Sequence, residues 1–285
     1  MQKFNFITWN INSIRVRLPL LKQLLLDKNP EFCMLQEIKA TIENFPFKEI
    51  EELGYSATIV GQKSYNGVAF LHRGPINKYT QSLPGVTEAR YQSMIFNGIK
   101  FTNIYVPNGF DMALSQYTQK LNFLKELLVQ AKSDLNNFPS VIGGDFNIIP
   151  YLEHDISQNV GPFLCLKCNE KCIMKYSKYG RFFECTNCSH IQKNVRNKSS
   201  NWEHTGIGCP EIRLLFFEFM KLGYIDLGKN HGFTWRDYRH KTTELRIDHI
   251  LASPNIADKL LYSALSNYRN LQRPSDHFPI ECSFI

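Results

Sequence analysis

No apolar run in these 285 residues approaches the roughly 20 needed to cross a bilayer, so a membrane span is excluded as the organising element. No repeat or low-complexity tract is present either, which sets aside solenoids and disordered scaffolds. The first residues, Met1-Gln2-Lys3-Phe4-Asn5-Phe6-Ile7, enter a strand-like pattern at once, without a charged leader and apolar signal core. A cytoplasmic location is the default expectation. What is present is 43% hydrophobic and 21% charged residues with 21 Phe and 13 Tyr, the composition of a globular, β-rich protein. The length suits one large domain or two small ones.

Cysteine and charge are unevenly placed. Five of the eight cysteines (33, 165, 168, 172, 185, 188, 209 and 282) fall between 165 and 188. Such clustering, without a signal segment, favours metal over disulfides. Between Phe163 and Lys198 eight Lys or Arg face only Glu170 and Glu184, so this segment carries +6 of the net +7. A near-neutral body with a strongly basic module reads as an enzyme with an added polyanion-binding piece, or as a body with a solvated lysine-rich loop.

Alternating or apolar runs at 4–9, 32–36, 56–60, 67–71, 93–106, 139–145, 247–252 and 279–284 predict strands. Helices are predicted over Leu18 to Leu26, Ser115 to Lys132 and Glu211 to Leu222, the last opened by Pro210 and closed by Gly223. With turn signals such as Tyr65-Asn66-Gly67, the pattern predicts an α+β fold of two packed sheets covered by helices. Periodicity lapses from Ser157 to Ser200, which reads as an insertion into a catalytic domain spanning 1–285.

Several strands end in polar residues that a strand does not need: Trp9-Asn10-Ile11-Asn12, Leu35-Gln36-Glu37, Gly144-Asp145-Phe146-Asn147, Arg246-Ile247-Asp248-His249 and Ser275-Asp276-His277. Carboxylates at several strand ends can converge on one hard cation, and Mg²⁺ takes oxygen ligands while keeping several waters. An Asp, a metal with a His, and a Tyr or polarised water supply what phosphodiester hydrolysis requires. Singly, each is also an ordinary turn residue.

Together with Glu88-Ala89-Arg90, Asn103-Ile104-Tyr105-Val106-Pro107-Asn108-Gly109, Trp202-Glu203, Phe233-Thr234-Trp235-Arg236 and Leu245-Arg246-Ile247-Asp248, the set resembles the exonuclease III and abasic-site endonuclease family of the endonuclease, exonuclease and phosphatase superfamily. The resemblance covers the chain outside 157–200 and implies a four-layer α/β/β/α, DNase I-like sandwich with its site at one edge. It implies Glu37 as the principal ligand of Mg²⁺ or Mn²⁺, with Asn10 and Asp276 near the same ion. Asp145 would orient or deprotonate the attacking water, and Asn147 would bond the phosphate or that water. His277, oriented by Asp248, would contact the scissile phosphate, with Tyr105 on the leaving-group side. A buried Asp fixes the tautomer and charge of a His that would otherwise be ambiguous. His249 points to the opposite strand face and is expected to be structural.

The same resemblance makes Phe233, Trp235, Leu245 and Ile247 a small apolar pocket for an abasic sugar, although each also suits an ordinary core. Extruding such a sugar costs less than extruding a paired nucleotide. Arg90, Arg236 and Lys39 are candidate phosphate contacts or plain surface cations. The activity implied is a repair phosphodiesterase that cuts 5′ to abasic sites and removes nucleotides or blocking groups from 3′ ends. Its implied partner is double-stranded DNA with abasic or blocked 3′ ends, met as a monomer and without a membrane. Other readings are a non-catalytic nucleic-acid-binding protein and a phosphodiesterase acting on RNA, phospholipids or inositol phosphates.

Cys165-Leu166-Lys167-Cys168 and Cys185-Thr186-Asn187-Cys188 form C-x2-C-x16-C-x2-C, the spacing of a structural Zn²⁺ site. Cys172 and His190 are alternative ligands, and redox-active cysteines are an alternative reading. Between the pairs, Met174 to Phe183 alternates cations with aromatics, as single-strand binders do. The stretch resembles the zinc ribbons of type IA topoisomerases, with Ser177 where glycine is usual. The insertion is therefore expected to contact single-stranded DNA; a structural or partner-binding ribbon is the other reading.

Overall fold

The computed structural model describes residues 3–77, 79–157, 164–170, 172–177, 180–192, 202–238, 243–266, 268 and 275–285. The chain opens with a parallel βαβ unit, β1 (Phe4–Asn10), α1 (Ile14–Lys28) and β2 (Phe32–Gln36), followed by α2 (Phe47–Glu51), β3 (Ser56–Val60) and β4 (Val68–His72). Next come β5 (Tyr79–Thr80), β6 (Tyr91–Phe96) and a second parallel unit, β7 (Ile99–Tyr105), α3 (Ser115–Asn137) and β8 (Ser140–Asp145). The insertion contributes β9 (Cys172–Ser177), β10 (Gly180–Cys185) and β11 (Ile191–Gln192). The chain then forms α4 (Pro210–Leu222), β12 (Ile225–Asp226), β13 (Trp235–Arg236), β14 (Glu244–Leu245), β15 (Asp248–Ala252), α5 (Pro254–Ala257), β16 (Leu260–Leu265) and β17 (Ile280–Phe284).

Two six-stranded mixed sheets result, ordered β16-β17-β1-β2-β4-β3 and β12-β15-β8-β7-β6-β5. Period-two side-chain direction explains their burial. Phe4 and Phe6 of β1, Phe32 and Met34 of β2, Val141 of β8 and Ile250 of β15 all point into the space between the sheets. Their neighbours Ile7, Trp9, Cys33 and Leu35 point outward onto Leu21, Leu24 and Leu25 of α1. On the other side, Ile142 and Leu251 face Phe123 and Leu127 of α3 and Phe216 and Phe219 of α4. Three apolar layers thus separate four structural ones, the expected α/β/β/α order. Because both faces are covered, the central strands read as continuous apolar runs.

Two expectations change. The run 93–106 is two strands, because Asn97 and Gly98, at φ of 51° and 76°, turn the chain in two residues and pair Phe96 with Ile99. That left-handed pair is what a tight hairpin requires. Helix α1 begins at Ile14 rather than Leu18 and runs through Pro19, since the Ser13 and Ile14 amides donate to the carbonyls of Glu37 and Ile38 and fix the first turn from outside the helix. The insertion, where periodicity lapses, holds the three-stranded sheet β11-β10-β9. Its buried centre is three cysteines and Phe183, with Cys168 and Cys188 against them. Lys178 and Tyr179 lie outside the described residues. No helix among the described residues is long and apolar enough to cross a membrane.

Candidate active site

The polar strand ends meet at one edge because of strand direction. Parallel pairing sets Asn10 opposite Gln36 and Tyr105 opposite Asp145, while antiparallel β15 sets Asp248 opposite Asp145. Residues 275–277 enter β17, antiparallel to β1, so His277 arrives at the edge where Asn10 leaves. Trp9 Nε1 donates to the His277 carbonyl at 3.1 Å, and Ser275 Oγ donates to the Asn10 carbonyl at 2.7 Å.

Within this edge Asp145, Asp248 and His277 place one ligand atom each within 4.8 Å of one another, all three buried. His277 Nδ1 lies 2.9 Å from Asp248 Oδ2, and its Nε2 lies 3.8 Å from Asp145 Oδ2. Burial alone would hold His277 neutral; Asp248, Asp145 and Asp276 overcome it and raise its pKa to about 10. Burial pushes Asp145 up to about 7, with Asp248 and Glu37 adding to the rise and His277 and Asn10 opposing it. Asn147 clasps Asp145 through its amide N–H at 2.8 Å and its side-chain N–H at 3.2 Å, from a left-handed backbone at φ 50°. Strained backbone concentrated at a polar edge is a mark of functional positioning.

Asn10 Nδ2 donates to Glu37 Oε1 at 3.1 Å and to Asp145 Oδ2 at 2.9 Å, so one amide joins the two carboxylates. Burial opposes ionisation of Glu37, but Lys39, Asn10 and His277 outweigh it and keep its pKa below the usual value. Lys39 Nζ sits 2.8 Å from Glu37 Oε2 and donates to Asn12 Oδ1 at 2.6 Å, so this cation already lies beside the carboxylates. Asp276 joins the same network through Asn12, its oxygens taking bonds from Asn12 Nδ2 at 2.7 Å and Trp235 Nε1 at 3.0 Å. Burial, which opposes it, is outweighed by His277, Asn12 and Trp235, and the Asp276 pKa is lowered. Tyr105 lies under the Arg90 guanidinium, 4.6 Å from the ring centre. Burial, then Glu37 and Asp145, push its phenol well above its usual pKa.

Trp235, Leu245 and Ile247 come together with Ile149, Ile207, Leu152, Ile156, Phe110 and Trp202 in one apolar cluster. Phe233 is half-buried and outside it. Arg236 pairs with Glu244 at 2.5 Å, and Arg90 with Glu88 at 2.5 Å. His249 is buried, bonded at 2.9 Å to Arg246 and at 2.9 Å to the Ile148 carbonyl, so it is a core residue.

The pattern of the Endonuclease/Exonuclease/phosphatase family matches residues 7–277. The chain belongs to that family. Exodeoxyribonuclease III of Haemophilus influenzae is 28% identical over 300 aligned residues, 98% of this chain and 99% of that one. A Neisseria 3′ phosphatase solved with a product DNA hairpin is 27% identical with a TM-score of 0.78, over 99% of both chains. The 3′-5′ exonuclease of Neisseria meningitidis gives 27% and 0.78, over 98% of this chain and 99% of that one. An AP endonuclease from Archaeoglobus fulgidus shares the fold at 24% identity and a TM-score of 0.79, over 99% of each chain. The sandwich is DNase I-like.

In this endonuclease/exonuclease/phosphatase family member two further groups support the site, Lys120 without a sequence signal and Gln36 from one of the polar strand ends. Lys120 is fully buried, donating to the carbonyls of Asn108 at 3.0 Å and Asn147 at 2.6 Å, and burial lowers its pKa to about 7. Gln36 Nε2 donates to Asn103 Oδ1 at 2.7 Å and joins the sheets beneath the site.

The insertion's Cys165, Cys168, Cys185 and Cys188 bring their sulfurs together, with separations of 3.4 Å for 168–185 and 168–188 and 3.7 Å for 165–188. Four thiolates ~2.3 Å from one tetrahedral Zn²⁺ stand ~3.8 Å apart, close to these values. The Lys167 amide donates to Cys165 Sγ at 3.3 Å, and those of Asn187 and Cys188 to Cys185 Sγ at 3.4 Å, which favours thiolates. Cys172 is buried against the quartet and His190 is not part of it. The cluster is consistent with metal binding.

Proposed function

We propose that this chain is a Mg²⁺- or Mn²⁺-dependent DNA phosphodiesterase of base-excision repair. It cleaves 5′ to abasic sites and acts at 3′ ends as exonuclease and phosphatase. The observation that carries the reading is the buried meeting of Asp145, Asn147, Asp248 and His277 at one sheet edge, with Glu37 tied to it through Asn10. The kinship with exodeoxyribonuclease III and with a 3′ phosphatase solved on DNA supports the substrate class.

Asp145, with its pKa raised to about 7, can take the proton of the attacking water near neutral pH, and Asn147 holds its carboxylate in place. His277, kept cationic by Asp248, faces the phosphoryl oxygens and stabilises their growing charge. Tyr105 stands on the leaving-group side. Glu37, with Asn10 and Asp276, would hold the metal, which when bound would polarise the phosphoryl oxygens and offset charge on the leaving oxygen. Glu37 is ionised and offers hard oxygens, as such a cation requires. The apolar cluster of Trp235, Leu245 and Ile247 beside Asp276 and His277 suits a sugar without a base better than an inositol phosphate. In the insertion, Cys165, Cys168, Cys185 and Cys188 would hold Zn²⁺, which would add to the small core of cysteines and Phe183 among the described residues.

Incision of a labelled duplex with one abasic-site analogue, in Mg²⁺ and in EDTA beside an undamaged control, tests the reading. Mg²⁺-dependent cutting at the lesion is expected. Intact lesion DNA beside cleavage of RNA or an inositol phosphate would overturn it.

A further inference from the structure

Both roots of the insertion are built into the apolar cluster at the active-site rim. On the outgoing side Ile156 forms a bridge with Leu245, the Ser157 amide donates to the Glu244 carbonyl at 3.0 Å, and the Glu244 amide donates to Ser157 Oγ at 3.0 Å. On the returning side Trp202 packs edge-on against Phe110, with ring centres 5.9 Å apart, inside the same cluster. That cluster includes Trp235, whose indole donates to Asp276 and whose backbone bridges to His277. The insertion therefore springs from the wall of the candidate substrate pocket and not from a remote loop.

Its sheet has two unlike faces. Directly opposed residues of antiparallel strands share a face, and the register pairs Cys172 with Cys185, Ile173 with Glu184, Lys175 with Phe182, and Glu184 with Ile191. Cys172, Phe183 and Cys185 are buried against the cysteine quartet. The opposite face shows Lys175, Phe182, Ile173, Glu184 and Ile191, with Ile173 43% and Ile191 62% exposed. Apolar and aromatic groups on an open face in a segment carrying +6 of the +7 net charge suit a polyanion with exposed flat surfaces. Single-stranded DNA has both, whereas a duplex hides its base faces in the stack. Glu184 holds the Lys175 ammonium at 2.5 Å, but an exposed pair of this kind adds little and yields readily to a phosphate.

Resting on the phosphodiesterase reading above, we infer that the insertion is a second DNA contact, gripping a single strand that runs out from the active site. Bases stack on Phe182 beside Ile173 and Ile191, Lys175 takes a phosphate, and a metal on the four cysteines would hold the three strands that present this face. The family's catalytic set does not require such a contact, so it sets which DNA ends are held and not how they are cut.

The test uses the full chain carrying Asp145→Asn, so that DNA is bound without being cut. It compares a blunt duplex with the same duplex extended by a single strand of ~12 nucleotides, within the ~4–16 that such sites cover. Tighter binding of the extended duplex is expected, and Phe182→Ala with Lys175→Gln should weaken that complex about 5- to 100-fold. The salt slope of the extended duplex should fall by ~0.7 in the same variant, the value expected for the one single-strand phosphate that Lys175 would neutralise. Retention of one zinc per chain would show that the variant insertion is folded. Blunt-duplex cleavage, measured with Asp145 restored, should not change. Equal binding of the two duplexes by the parent chain, or a preference that survives the double variant with its salt slope intact, would overturn the inference and leave the face to a protein partner. Absence of cleavage on every DNA, with the extension preference present, would instead sink the phosphodiesterase reading while supporting this contact.

Discussion

In the proposed mechanism Asp145 and His277 make opposite demands on pH. The Asp145 carboxyl must be ionised to accept a proton, and burial has lifted its pKa to about 7. His277 must stay protonated, and despite its burial Asp248 and Asp145 keep it so up to about 10. The kcat/KM profile should therefore rise through about pH 7, hold, and fall towards about 10. Replacing Asp248 with Asn removes the charge that counters the burial of His277, so the alkaline limb should move down in pH; an unmoved limb would sink the His277 assignment. Asp145→Asn should lower kcat by roughly 10²- to 10⁴-fold while DNA binding persists, and near-normal turnover would rule out its role as base. Lys120→Met removes both donors that hold the Asn108 and Asn147 carbonyls, so kcat should fall with KM little changed. Restored kcat in Lys120→Arg would support positioning by a cation at this point. That Glu37, Asp145 and His277 would meet at one edge was legible in the sequence from the set of polar strand ends, and their proposed roles came from the family resemblance. Lys120 was not, because on α3 it reads as one helix lysine among Lys120, Lys125 and Lys132, and only the packing of the Asn147 turn buries it.

Among the elements, β8 leaves no room for a side chain at Gly144. Gly144, at φ 138°, would bring any Cβ to 2.1 Å from the Ile104 carbonyl oxygen, so even alanine must move β7 away from β8. Gly144→Ala should lower stability by more than ~2 kcal/mol and weaken cleavage, because Asp145 is the next residue. A thermal melt with an incision assay checks both. The insertion is the opposite case. Among its described residues the buried core is three cysteines and Phe183, so the metal proposed for the cysteine quartet would substitute for burial, with apparent binding worth ~10–16 kcal/mol in small zinc-folded peptides. Chelation, or Cys185→Ser, should unfold this element alone and leave the main melting transition of the sandwich in place. Loss of both together would mean that the sandwich leans on the insertion. The sandwich strands were readable from long apolar runs with both faces covered. The 93–106 hairpin was not, since two Asn97-Gly98 dihedrals outweigh the apolar continuity around them. Nor was β16, an edge strand paired only with β17 and exposing Leu261 and Tyr262, which lacks a clean alternation to read.

At the scale of the molecule, the two ends of the described chain meet in the middle of a sheet. Strand β17 lies between β16 and β1, antiparallel to both, and Phe284 stacks on Phe4 and Phe6 at 5.4 and 5.8 Å between ring centres. The candidate active site shares this closure, since the Ser275 hydroxyl reaches the Asn10 carbonyl across 265 residues of sequence. Contacts of such separation form late, because loop closure must precede any gain from pairing. Removing 280–285 should therefore abolish folding and cleavage although every proposed catalytic residue remains, as β1 would become an open edge and Phe4 and Phe6 would lose their cover. The three tryptophans allow the closure to be timed. Trp9 donates to the His277 carbonyl, Trp235 to Asp276, and Trp202 sits in the apolar cluster, so intrinsic fluorescence reports this one edge. In refolding from denaturant, Mg²⁺-dependent incision of abasic DNA should return with the same rate constant as the final fluorescence change. Cleavage recovered ahead of that phase would mean that the catalytic edge assembles on a partial sandwich, and that closure by β17 serves stability and not the site.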